Sequence, residues 1–128
     1  MTDFRQYFKI DEKTTFTFGD KTYPIDKSYK ITLVLNQMKK EMEKKSNEDE
    51  NFDAVEANFE LIFNALKLFV NDKFAKEIKE SDIDEASLMK LFQVLMNIRS
   101  GMTEEEAIKK VEEEEKNQIL LNQNSGMI

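Results

Sequence analysis

The sequence predicts a mainly α-helical fold: an N-terminal two-stranded β-hairpin followed by a bundle of four to five helices around a central apolar helix. Three observations predict it. The hydrophobic period changes near Ser28, from alternation before it to helical spacing after it. The pair Gly19-Asp20 stands between two alternating runs, as a tight turn requires. Ten Phe and seven Met accompany only three Gly and one Pro, so bulky core formers are plentiful and helix breakers scarce. The 128 residues are one domain's worth of chain, enough to bury roughly two-thirds of the unfolded surface without staples.

Residues 1–13 mix Phe4, Tyr7, Phe8 and Ile10 with charges and read either as a short helix or as an arm packed on the core. The hairpin occupies residues 14–25. Gly19 supplies positive φ for a type II′ or I′ turn, and Phe16, Phe18, Tyr23 and Ile25 supply the apolar faces. Pro24 cannot donate to a ladder, so its strand must present that side to solvent or a sheet edge. Two strands alone are marginal, so the hairpin has to dock on a helix or on another chain.

The helical body spans residues 29–118. A first helix is expected from Tyr29 to Lys45, with Ser28 as N-cap and Ile31, Val34, Leu35, Met38 and Met42 on one face. Ser46 to Asn51 contains no apolar residue and reads as a loop. The second helix, Phe52 to Asn71, confines Glu56, Glu60, Asn64, Lys67 and Asn71 to one narrow stripe and is apolar elsewhere. Such a helix is expected at the centre of the protein, and a partner-binding groove is the alternative reading of its apolar excess. A short helical piece near Phe74 to Lys79 leads through Ser81-Asp82-Ile83-Asp84 to a helix from Glu85 to Ser100, with Leu88, Leu91, Phe92, Leu95 and Ile98 inward. Gly101 fits the left-handed residue past that helix, and Thr103 with Glu106 forms a capping box opening the last one. Residues 119–128 are set apart as a tail that either folds back or frays. Its trio Ile119, Leu120 and Leu121 is the candidate contact point for another chain, because the seven residues after Val111 carry no apolar side chain.

Composition excludes much of the usual chemistry. With no Cys and no His there is no thiolate, no imidazole base and no Cys- or His-based metal site. Three scattered glycines cannot make a phosphate loop. Asp49, Asn51, Asp53 and Glu60 fall in the register of a calcium loop, but Ala54 stands where the sharp turn needs Gly, so calcium is rejected. No enzyme activity, cofactor or metal is expected. The net charge of −7 divides into +3 over residues 1–45 and −10 over residues 46–128, which opposes nucleic-acid binding by the helical body. No stretch resembles a signal peptide or a membrane span, so a cytoplasmic protein with no membrane contact is expected.

The order of these elements resembles the small tail assembly chaperones of long-tailed bacteriophages, including prophages of Gram-positive hosts. The resemblance runs through the hairpin Phe16 to Ile25, the segment Asp26-Lys27-Ser28-Tyr29 opening the first helix, the acidic helical body, and the joint Gly101 to Glu106. It implies a non-enzymatic protein of the bacterial host's cytoplasm. Such a protein would bind the phage tape-measure protein, help recruit tail-tube subunits and be absent from the mature virion. A homo-oligomer is left open. Two other readings stand beside it: an acidic regulatory or anti-host inhibitor, and a structural virion component.

Overall fold

The hairpin forms where the alternation places it. In the computed structural model, which describes residues 4–8 and 14–125, strand β1 (Thr14–Phe18) pairs antiparallel with β2 (Lys21–Ile25), Phe16 opposite Tyr23 and Thr15 opposite Pro24. Gly19 has φ 66 and Asp20 does not have positive φ, the sign pattern of a type II′ turn. In a two-residue hairpin the pair flanking the turn is hydrogen-bonded and pairs alternate from there. Pro24 therefore falls in a non-hydrogen-bonded pair, where the ladder does not need its missing N–H. Ahead of the hairpin, α1 (Phe4–Tyr7) is a single turn, and Ile10 lies outside the described residues.

The chain gathers into two compact units, Met1–Glu77 and Ile78–Ile128. The first contains the hairpin, α2 (Tyr29–Glu48), α3 (Ala54–Phe69) and most of α4 (Asp72–Glu80). The hairpin docks in cis. Phe74 on α4 is fully buried, and the ring centroids of Tyr23, Phe16 and Phe18 lie 4.8, 5.3 and 5.5 Å from its own, all in edge-to-face arrangements. Phe16 also stacks on Tyr23 across the ladder at 5.8 Å. The chain leaving β2 is tied down where Asp26 N donates to the Phe69 carbonyl at 2.8 Å, satisfying an acceptor that the end of α3 leaves over.

Local side-chain bonds set the helix ends in this unit. Ser28 caps α2, its Oγ accepting from Lys30 N at 3.2 Å. The helix then runs past the expected end and takes in Ser46, Asn47 and Glu48, because no Gly or Pro interrupts it. The connection shrinks to residues 49–53. Asp53 caps α3 by accepting from Val55 N and Glu56 N, both at 3.1 Å, and Asn71 Oδ1 accepts from Phe74 N at the start of α4.

The second unit begins within α4, whose Ile78 is buried, and holds α5 (Glu85–Arg99) and α6 (Glu104–Ser125). Asp82, at φ 53, turns the chain out of α4, and Asp84 caps α5 by accepting from Ser87 N at 2.8 Å. The α5–α6 joint is a Schellman motif. Gly101 has φ 115, Gly101 N donates to the Ile98 carbonyl at 3.0 Å, and Met102 N donates to the Asn97 carbonyl at 3.2 Å. Thr103 Oγ1 accepts from Glu106 N, so α6 opens with the expected cap. The segment set apart as a tail is continuous with α6 as far as Ser125, because residues 112–125 contain neither Gly nor Pro. Residues 126–128 and the side chains of Leu120 and Leu121 lie outside the described residues.

Candidate interaction surfaces

In the first unit, α2 and α3 pack side by side without closing a core between them. No residue of the 20-residue α2 is fully buried, and α3 buries only Ala65, Leu66 and Phe69, in its last turns. The expectation of enclosure holds for that end of α3 alone; Phe59, Leu61, Ile62 and Phe63 stay half-buried and Val55 is 66% exposed. On α2, Ile31, Leu35, Met38 and Met42 are half-buried as the spacing predicts, whereas Val34 turns outward beside Leu33, which is 60% exposed. A shallow groove beside the pair is lined by Met38, Met42, Phe52, Ala57 and Leu61, with Glu41, Lys45 and Glu60 at its margin. Met and Phe at such a surface give an adaptable lining rather than a shaped pocket.

In the second unit, Leu88, Leu95 and Ile98 of α5 and Ala107 and Val111 of α6 are buried. Among the described residues Asn97 is the one buried polar side chain, and it is satisfied. Its Nδ2 donates to the Ala107 carbonyl at 3.4 Å, and its Oδ1 accepts from Gln93 Nε2 at 3.2 Å. A groove of about 320 Å3 between α5 and α6 is lined by Met89, Gln93, Val111, Gln118 and Ile119, with Lys90, Glu114 and Glu115 around them. Lys90 Nζ pairs with Glu115 Oε2 at 2.9 Å. Of the trio singled out in the sequence, Ile119 is 51% exposed and lies in this groove. Met89 does not stand out among the apolar residues of α5 in the sequence. Its seven-residue spacing from Met96, which is also exposed, is the one signal that sets it apart.

The ionisable groups that depart from ordinary behaviour do so through local bonds. Tyr23 Oη donates to Glu77 Oε2, and Lys21 Nζ lies 3.5 Å from Oε1 of the same carboxylate. The bond to Glu77 pushes the Tyr23 phenol up to about 12, and the same bond, aided by Lys21, holds Glu77 below the usual carboxylate range. Asp84 is likewise lowered, by the backbone N–H of Ser87 and then by its hydroxyl. The carboxylates in the calcium-loop register have local duties: Asp49 Oδ1 accepts from Asn51 N at 2.9 Å, and Asp53 caps α3. Among the described residues no three acidic side chains converge as a metal site, and no helix is long and apolar enough to cross a membrane.

Comparison with protein-family models, curated proteins and solved structures yields no match.

Proposed function

We propose that this protein is a non-enzymatic assembly chaperone of a long-tailed bacteriophage. It binds the tape-measure protein in the host cytoplasm, helps recruit tail-tube subunits, and is left out of the finished particle. The observation that carries the reading is the unclosed apolar surface of α2 and α3. A 20-residue helix with no fully buried residue, bearing outward Tyr29, Leu33 and Val34, has side chains to spare for a client. A long helical client with an apolar stripe is covered by helix-in-groove contacts, and side chains already carried on helices suit that mode. The net charge of −7 keeps the covered complex soluble.

The test is affinity capture of a tagged copy from cells in which a phage encoding this protein is assembling, followed by mass spectrometry of the captured proteins and of purified particles. The expected result is co-capture of the tape-measure and tail-tube proteins, with this chain missing from the particles. Its presence in mature particles at structural stoichiometry would favour a virion component instead. Capture of a host enzyme without either tail protein would favour an inhibitor.

A further inference from the structure

The α5–α6 groove differs from the α2–α3 surface in that its uncompensated charge has one sign. The groove holds Met89, Val111 and Ile119, and its only cation, Lys90, is already paired with Glu115, which leaves Glu114 as the excess charge. The rest of α6 strengthens that sign: the helix carries seven glutamates and three lysines, and none of those lysines lines the groove. Exposed Ile108 and Ile119 lie eleven residues apart, about three turns or ~16 Å along the axis, and helical periodicity puts Glu112 and Glu115 between them on the same side. An apolar floor beside glutamates is electrostatically complementary to one kind of helix.

We propose that the α5–α6 groove docks a basic amphipathic helix of a partner protein. The partner's apolar stripe lies on Met89, Val111 and Ile119, and lysine or arginine residues flanking that stripe reach Glu114 and Glu112. This deepens the chaperone reading by giving the client a charge pattern and a seat on the second unit. It rests on that reading only in taking the client to be helical, and synthetic peptides test it without any phage protein.

The experiment is a fluorescence anisotropy titration of the full chain with labelled amphipathic peptides of about 18 residues, a leucine stripe flanked either by Lys or by Glu. A Lys peptide with the same composition but a scrambled stripe serves as control. The stripe-bearing Lys peptide is expected to bind, more weakly as salt rises, while the Glu peptide and the scrambled peptide do not. Replacing Glu112→Lys with Glu114→Lys should weaken binding at least about tenfold. Glu48→Lys with Glu50→Lys changes the net charge equally in the other unit and should weaken it less than about threefold. Ile119→Ser and Met89→Ser should each weaken it with little change in thermal midpoint, since both side chains are exposed.

Equal weakening by the two charge-reversal pairs would mean bulk attraction and would overturn the proposal, as would equal binding of the scrambled peptide. A concentration-dependent dimer in sedimentation that Ile119→Ser dissolves would assign the groove to a second copy of the chain and overturn it too. Glu112→Gln with Glu114→Gln provides a milder variant should the reversal disturb folding, and unchanged affinity in that variant at low salt contradicts the proposal.

Discussion

Tyr23 on β2 donates its phenolic hydrogen to the carboxylate of Glu77 on α4. The bond sits at the polar rim of the ring cluster around Phe74 and joins the hairpin to the helix that covers it. It also fixes two protonation states at once, a neutral phenol and an ionised carboxylate.

The pH dependence follows from the sign of each shift. The folded phenol titrates at about 12 and the unfolded one at 10.0, so its contribution is complete below the unfolded value and is lost as pH rises through that window. Thermal melts should show wild type more stable than Tyr23→Phe up to about pH 10, the difference closing by about 12. Glu77 is shifted the other way from 4.5, so its contribution is present above that value and is lost as pH falls below it. Wild type should therefore lose its advantage over Glu77→Gln on the acid side. A difference that stays constant through either window would contradict the assignment.

Phe74→Ala removes the ring that three hairpin aromatics surround. The expected loss is about 3–5 kcal/mol, a large share of the ~5–15 kcal/mol that holds a typical domain. Urea unfolding measures the loss, and amide hydrogen exchange should show Thr14 to Ile25 losing protection first. Protection that survives the substitution would mean the hairpin has another anchor.

Asn97 tests the joint between α5 and α6. Asn97→Asp places a carboxylate against the Ala107 carbonyl, which accepts a hydrogen bond in the native protein. At neutral pH the substitution should cost about 1–3 kcal/mol. Burial and that carbonyl raise the new group's folded pKa, so stability is retained at low pH, where the protonated acid can donate, and is lost as pH rises. A variant equally stable across the acid range would show that the Asn97 side chain contributes little there.

At Gly101 the φ of 115 favours glycine, and a Cβ would meet nothing within 4 Å, so substitution tests backbone strain alone. Gly101→Ala should cost about 1–2 kcal/mol by urea melt with no change in the fold by circular dichroism. A neutral result would mean the Schellman geometry relaxes.

Where local chemistry decides a feature, the sequence announces it. Gly19-Asp20 between alternating runs specifies the hairpin, and Ser28, Gly101 and Thr103 each mark a helix end through their own side chain or its absence. Features decided by distant partners are silent. Phe16 and Tyr23 show only that one hairpin face is apolar; that Phe74, some fifty residues on, fills it depends on tertiary packing. The apolar circumference of α3 predicts enclosure, but how much is covered depends on how many neighbours the fold supplies, and its first turns have few. Ser46 to Glu48 are polar enough to read as loop, yet helix persists until a stop signal arrives. Asp82 carries no local mark of its positive φ beyond the tolerance of Asp for that region. In the candidate site Ile119 is visible as the first of an apolar trio set apart from Val111 by polar residues, while Met89, within an apolar helix, is masked by the core formers around it.

The proposed role, keeping a helical tail protein in solution, is decided by expressing the cognate tape-measure protein with and without this chain and measuring the soluble fraction after centrifugation. The tape-measure protein should be insoluble alone and become soluble with the chain, in a complex that survives gel filtration. Equal solubility of the tape-measure protein in both conditions would contradict it.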